Sequence, residues 1–435
     1  SRPISPINNF TKIFEKVLKD RLIQFYTTFN VLSKFQFGFL ANCSTLDAMY
    51  SLTSEVVKSL NSNKKSIAIF IDLAKAFDTV PHLKLIEVLK LYGVRGIAQQ
   101  VFKSYLEDRD QFVKLNNTIS ERTKIKIGVP QGTILGPLLF ITYINSLHQL
   151  QIDGRIISYA DDTALVFSGC SWEEVREIAV RGFKKVKNWL ETFKLSLNET
   201  KTNYIPFSIT NTNRPTFNEI NVSDDITNFE IKGVKRVKYL GVVLDQHLKW
   251  TAHIEYLTTK IRKLIHKFYI IREFLSAKLV VQVYKSLVES LMRYGLAVWG
   301  GTYKTNLQPL RIIQNYILKV SYKRDRLYPT RLLYNENVND LDVLYIQSLC
   351  KFVHQKKVLQ NHISHAYSTR QNINNHLTLP PNHRTINMRH ATYLAPKVYN
   401  LLPNCIKQIT RNDIFAKKSK LYIFENRDTF CRRVY

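Results

Sequence analysis

Apolar residues first recur at helical spacing: Phe10, Ile13, Phe14, Val17, Leu18, Leu22 and Phe25 follow Ser5-Pro6 and predict an amphipathic helix. After a turn-rich stretch, Gln36–Thr45, Ser44 or Thr45 caps a second helix carrying Leu46, Met49, Val56, Val57 and Leu60. Ser66–Leu73 then reads as a buried strand that ends on Asp72. Helices come next over Pro81–Tyr92 and Gly96–Leu106, then a hairpin from Gln111 to Ile127. The loop Gly128–Thr133 launches an apolar helix through Leu147. Arg155–Ile157 and Ala164–Phe167 are β-prone runs on either side of Ser158–Thr163, the pattern of a hairpin with an acidic tip. Ser171-Trp172-Glu173-Glu174 is a capping box, and the stripe Val175, Ile178, Val186, Trp189, Leu190 and Phe193 behind it marks a core-facing helix. A strand at Tyr204–Phe207, a polar surface excursion over Ser208–Asp225 and a strand at Val237–Leu244 close the mixed part of the chain.

From Ile254 the period is helical throughout. Ile254, Leu257, Ile261, Leu264, Ile265, Phe268 and Ile271 predict one helix with Lys260, Lys263 and Lys267 alongside. Further helices are expected over Val280–Trp299, Leu307–Val320 and Leu341–Leu359, and a linker or long loop over Asn361–Arg384.

Charge changes the picture more than composition does. The 435 residues hold 63 Lys plus Arg against 34 Asp plus Glu, a net +29, with 45% of residues hydrophobic. This describes a folded protein with a cationic surface and a polyanionic partner, nucleic acid ahead of an anionic membrane. No apolar run approaches the roughly eighteen residues of a membrane span, and no signal-peptide pattern opens the chain. Five scattered cysteines fit a reducing, intracellular setting. The start at Ser1, without Met, reads as a piece of a longer protein. Lys407, Arg411, Lys417, Lys418, Lys420, Arg427, Arg432 and Arg433 make the tail basic, as a solvated face or a nucleic-acid contact.

Candidate chemistry lies in the carboxylates. An Asp at the end of an apolar strand is costly unless it is paired or metal-bound, so Asp72 is either a turn cap or a ligand; Asp78 reads as a cap. Asp161 and Asp162 offer hard oxygens suited to Mg²⁺. Strand neighbours face opposite ways, which favours Asp161 as ligand and Asp162 as support; a solvated turn is the bland alternative. Carboxylates on separate rigid elements are what a two-metal phosphoryl-transfer site needs. Glycines beside Gln131 let the backbone approach a ligand; otherwise Gln131 lies on the surface after a turn.

In order and spacing, Arg2–Ser5, Gln36–Phe39, Phe70–Val80, Gly128–Pro137 (GVPQGTILGP), Tyr159–Thr163, Leu195–Thr202 and Tyr239-Leu240-Gly241 together resemble the reverse transcriptases of non-LTR, jockey-like retrotransposons. Tyr294-Gly295, Val298–Gly300 and Tyr399–Pro403 are similar to the region downstream of the polymerase in such elements. The resemblance implies an α+β right-hand polymerase: fingers and an antiparallel palm over residues 1–250, a helical thumb over 251–330 and a helical, basic region over 331–435. It implies two Mg²⁺ ions held by Asp72 and Asp161 with Asp162 assisting, and Lys201 near the triphosphate as charge or proton donor. Phe77 would be a steric gate under the sugar; Gln131, Leu73 and Ala74 would meet the nucleotide; Tyr239, Leu240 and Gly241 would grip the primer. Partners would be an RNA template, a DNA primer or target and dNTPs, in cytoplasm and nucleus, without a membrane; an upstream endonuclease is expected. Where the family usually has Arg, this chain has Leu40. Cys350, His354, His362 and His365 loosely resemble a zinc knuckle, with plain helix residues as the simpler reading.

Two other readings stay open. Asp72 and Asp78 could mimic the motif of RNA-templated RNA polymerases, although Ala160 stands where that class has Gly and Phe77 is foreign to it. A decayed fragment that folds and binds RNA is favoured by Leu40 and opposed by the intact Asp72, Asp161 and Asp162.

Overall fold

A computed structural model of the chain describes residues 8–434 other than 108, 117, 131, 211–214, 224–227, 357–375 and 382–383. The chain divides into two compact units. One takes the chain up to Leu52, Lys65–Pro206 and the stretch that ends at Val234; the other takes Thr53–Lys64, a short piece from Phe207 and everything from Lys235 on. The last boundary between the two units falls after Val234.

In the first unit, α1 (Asn9–Thr28) starts at Asn8, whose side chain accepts from the Thr11 N–H at 2.8 Å. Its burial departs from the apolar spacing. Phe10, Ile13, Phe14 and Val17 are exposed, while Leu22, Tyr26 and Glu15 are buried. Asp47 accepts from the Ser44 N–H and hydroxyl, at 2.7 Å each, at the head of α2 (Thr45–Asn61), a helix whose later turns belong to the other unit. Then come β1 (Lys65–Ile71), α3 (His82–Leu91) and α4 (Ile97–Leu106). Short pairs of β2 (Asp110–Gln111) with β5 (Thr123–Lys124), and of β3 (Lys114–Leu115) with β4 (Thr118–Ile119), make the expected hairpin. The rest of the unit is α5 (Gly136–Ile144), β6 (Gly154–Tyr159), β7 (Asp162–Gly169), α6 (Trp172–Thr192), β8 (Asn203–Phe207), β9 (Glu219–Ser223) and β10 (Asn228–Gly233).

Among the described residues these strands form one sheet in the order β6-β7-β1-β8-β10-β9. β1 runs antiparallel to β7, from Lys65 opposite Gly169 to Ile71 opposite Thr163. β1 and the apolar α5 are buried almost throughout, and the stripe of α6 packs into the same core. β9 corrects the surface excursion: Ile220 and Val222 point inward, as do Phe229 and Ile231 of β10, and all four join the core.

In the second unit, the single strand expected over Val237–Leu244 is a hairpin of β11 (Arg236–Tyr239) and β12 (Val242–Asp245). Leu240 and Gly241 form its turn with φ of +46° and +83°, the positive values such tight turns demand. The long helix from Ile254 is broken at Lys263-Leu264 into α7 (Thr251–Arg262) and α8 (Ile265–Phe274). The next expected helix is likewise interrupted. α9 (Ala277–Tyr284) passes through a π turn into α10 (Ser290–Arg293), stops at Tyr294-Gly295, and restarts as α11 (Leu296–Trp299). α12 (Lys304–Ser321) and α13 (Leu341–Gln355) come after it.

Helices Ala391–Tyr399, Asn412–Glu425 and Arg427–Val434 pack around α13. The His354 ring stacks on Phe415 with centroids 3.6 Å apart, and Arg427 pairs with Asp340. The basic tail is therefore folded. Lys407 donates to the Asn400 carbonyl and Arg411 pairs with Asp413, while Lys417, Lys418, Arg432 and Arg433 remain exposed. Cys350 is buried and burial pushes its thiol far up, so it and His354 are packing residues; His362 and His365 lie outside the described residues. Among the described residues, no helix is long and apolar enough to cross a membrane.

Candidate active site

Asp72 comes directly after the last residue of β1 and is carried to the rim of the sheet by the β1–β7 ladder. A bridge between Leu73 and Leu197 continues the pairing: Asn198 N–H donates to the Asp72 carbonyl at 2.8 Å and Ala74 N–H to the Ser196 carbonyl at 2.9 Å. The Asn198 carbonyl then accepts from the N–H groups of Lys201 (3.3 Å) and Thr202 (3.0 Å), closing a tight turn. This turn sets Lys201 Nζ 3.6 Å from Asp72 Oδ2. Both groups are well exposed, so the pair adds little stability; its consequence is a cation held beside that carboxylate.

The next turn carries Lys75 at φ +50° and places Phe77 between two rings. Phe140 stacks on it at 4.2 Å and 23°, and Phe39 meets it edge-on at 6.1 Å. The loop before α5 docks on the same turn, with Gly128 N–H donating to the Val80 carbonyl (2.7 Å) and Val129 N–H to the Phe77 carbonyl (2.8 Å). Gly128 has φ +92°, and a Cβ there would come within 3.0 Å of the Asp78 carbonyl oxygen, so this contact needs glycine. At the far end of the loop, buried Glu15 accepts from the N–H groups of Ile134 (2.7 Å) and Leu135 (3.3 Å) and from the Tyr105 hydroxyl (2.6 Å). Burial and the adjoining carboxylate push that hydroxyl's pKa far up, which keeps it a donor.

The acidic hairpin closes on the pair Tyr159–Asp162, with Ala160 and Asp161 as its two-residue tip. Beneath the tip the Ser158 and Thr163 hydroxyls are bonded at 2.9 Å. Ala160 has φ +56°. Beside it runs Gln36-Phe37-Gly38: Phe37 N–H donates to the Ser158 carbonyl (2.8 Å) and Ser158 N–H to the Phe35 carbonyl (3.0 Å).

These elements surround a cavity of about 350 Å³ lined by Asp72, Leu73, Ala74, Lys75, Phe77, Asp78, Asp161, Asn198 and Lys201. Asp72, Asp161, Phe77 and Lys201 are thus brought together with Leu73 and Ala74. Ala74 N–H is already donated, so Ala74 lines the wall without offering that donor. Asp162 is exposed and is not part of the lining. Gln131 lies outside the described residues. Tyr239 is buried, and Leu240 and Gly241 sit at the turn of the β11–β12 hairpin in the other unit, where Tyr294 Oη donates to the Leu240 carbonyl at 2.7 Å.

Sequence spacing did not single out Lys75, Asn198, Glu15 or the side chain of Gln36. Lys75 was legible as a cation within Asp72–Asp78; the others act through contacts distant in sequence. The donor set suits a hard divalent ion. Asp72, Asp78 and Asp161 line one cavity beside ammonium groups, and Mg²⁺ is commonly held by one or two carboxylates, with substrate phosphates and water filling its shell. A cavity of about 380 Å³ in the other unit, lined by Lys249, Arg384, Arg389 and Tyr303, has no carboxylate in its lining and does not fit such an ion.

Residues 1–244 match the family model described as reverse transcriptase (RNA-dependent DNA polymerase). The chain is 30% identical over 341 residues to the probable RNA-directed DNA polymerase from transposon BS of Drosophila melanogaster, covering 73% of this chain and 36% of that protein. It is 25% identical over 327 residues to the probable RNA-directed DNA polymerase from transposon X-element of the same species, covering 73% and 35%. To the RNA-directed DNA polymerase from mobile element jockey, also of D. melanogaster, it is 27% identical over 331 residues, again covering 73% and 35%. The match thus spans about a third of the length of these relatives.

Proposed function

The chain belongs to the reverse transcriptase (RNA-dependent DNA polymerase) family, and from that premise we propose that it extends a DNA 3′ end on an RNA template during movement of a non-LTR retrotransposon. Enzymes of this family are nucleotidyltransferases with a right-hand polymerase fold, work on RNA and DNA, and generally use divalent metal ions. The observation that carries the proposal is the cavity in which Asp72 and Asp161 meet Phe77, Lys75 and Lys201.

The first unit's sheet acts as the palm. The transfer joins the primer 3′-oxygen to the α-phosphorus of a dNTP and releases pyrophosphate. Asp72 and Asp161 are the residues that would hold two Mg²⁺ ions, with Asp162 assisting from the rim. Ions bound there would ease charge build-up on the attacking and leaving oxygens. Lys201 and Lys75 supply positive charge where the triphosphate enters, and the Lys201 ammonium would meet the phosphates or pass a proton to the leaving group. Phe77, fixed between Phe140 and Phe39, lies under the sugar and leaves a 2′-hydroxyl neither room nor partner. Gln131, Leu73 and Ala74 meet the nucleotide, and the turn at Tyr239-Leu240-Gly241 holds the primer. A net charge of +29 supports binding to a long polyanion.

Primer extension on an RNA template with Mg²⁺, run separately with deoxy- and ribonucleotides, tests the proposal. Extension with dNTPs that vanishes in Asp72→Asn and Asp161→Asn, with RNA binding retained, is expected. RNA binding without extension by the unaltered chain would leave the binding-fragment reading, and preference for ribonucleotides would favour the RNA polymerase.

A further inference from the structure

Gln36 is 1% exposed, and its side chain reaches the tip of the acidic hairpin. Its Oε1 accepts from two backbone donors, Gly38 N–H at 2.9 Å and Ala160 N–H at 3.0 Å. The orientation of the amide is set by those donors, since a flipped group would turn its own N–H toward them. Nε2 has no partner among the described residues, so the oxygen alone explains why an amide is buried here. Gly38 completes the fit: a Cβ at that position would stand 2.3 Å from the Ala160 nitrogen.

The strained residue is Ala160. A tight hairpin asks for positive φ at this place, which glycine adopts freely and alanine does not. Ala160 nevertheless holds φ +56°, and strained conformations persist where the surroundings over-determine them. The next residue is Asp161, which faces the cavity.

We propose that Gln36 is a positioning residue for nucleotidyl transfer: its carboxamide oxygen locks Ala160 in the left-handed conformation that aims the Asp161 carboxylate into the cavity. The inference rests on the polymerase reading of that cavity. Its rival is a buried amide that merely ties two segments together.

Gln36→Met keeps much of the side-chain volume and removes the acceptor. Alone, it lowers kcat roughly tenfold or more, with KM for dNTP and primer–template affinity within about twofold. The Ala160 amide, measured by hydrogen exchange without substrate, loses protection. Because glycine adopts the same backbone without a clamp, adding Ala160→Gly to Gln36→Met restores kcat to within about threefold of Ala160→Gly alone. A merely structural role would lower the melting temperature and give no such rescue. Failure of the glycine to rescue kcat, or unchanged protection of the Ala160 amide in Gln36→Met, overturns the proposal. If Gln36→Met does not fold, Gly38→Ala pushes on the same backbone, and an unchanged kcat there overturns it equally. If the unaltered chain extends no primer, the polymerase reading fails, and the exchange measurement alone decides whether Gln36 clamps the hairpin.

Discussion

Replacing Glu15 tests how the loop before α5 is held. Its carboxylate accepts from the Ile134 and Leu135 N–H groups at 2.7 and 3.3 Å and from the Tyr105 hydroxyl at 2.6 Å, with the side chain out of water. In Glu15→Gln one oxygen still serves the backbone, and the Tyr105 hydroxyl can turn to accept from the new amide. The loss is the difference between charge-assisted and neutral bonds, about 1–2 kcal/mol in all. Glu15→Met removes every acceptor while filling much of the space. Two backbone donors that no substitution can delete are then stranded, at about 1–3 kcal/mol each, for a total of about 2–6 kcal/mol. This differs from a buried ion pair, where an apolar replacement is often neutral. Native-state hydrogen exchange at the Leu139 and Phe140 amides of α5 reads the effect as roughly a tenfold loss of protection for Gln and a hundredfold or more for Met. A methionine variant as stable as the glutamine one would refute the reasoning, because the backbone donors would then be satisfied without Glu15.

Phe77→Val opens the volume beside Phe140 and should lower the ratio of kcat/KM for deoxy- over ribonucleotides; an unchanged ratio makes Phe77 only a packing aromatic. Leu40 is half-buried against the first unit's core, so Leu40→Arg should lower Tm while raising kcat/KM for dNTP about tenfold through a new charged donor; a Tm loss without kinetic gain makes position 40 structural. In the second unit, burial pushes the His253 imidazole down from 6.5 to about 4. The unfolded chain therefore binds more protons between those values, and stability should fall as pH drops from about 6.5 to 4, by up to about 3 kcal/mol for this residue; denaturant melts of His253→Gln that keep the full acid slope would reject this cause.

Strong periodicity made β1, α2, α3, α4, α6 and the acidic hairpin legible, because long runs of one period admit few alternatives. Each feature that escaped did so for a physical reason. On α1, spacing shows which residues can be buried together and not which are; Glu15 is buried instead, its cost met by donors more than a hundred residues away. β9 and β10 alternate in sequence, but their apolar residues are few and set among turn-forming ones. The β11–β12 turn is hard to see because its two residues, Leu240 and Gly241, lie between apolar Tyr239 and Val242 and include no Asn or Asp. No Pro or Gly marks the break between α7 and α8. The basic tail read as a charge run, since a folded helix with charges on one side has the same composition as a solvated one.

The specificity of the motif order comes from the hydrogen bonds among the motifs. Gln36 bonds to Ala160 and Phe37 to Ser158, so the first turn-rich segment meets the acidic hairpin. Asp72 and Ala74 bond to Asn198 and Ser196, so the strand end meets the turn that carries Lys201. Phe77 and Val80 bond to Val129 and Gly128, so the turn that carries Phe77 meets the loop before α5. Ile71 stands opposite Thr163, which joins the strand to the hairpin. Each segment is thus a main-chain partner of another as well as a carrier of side chains. Moving one by a single residue would break bonds in its neighbour and turn a carboxylate off the cavity. A pair of aspartates in a turn is common; here the backbone of Asp161 is tied into the same network as Asp72, Phe77 and Lys201, and those four residues line one cavity.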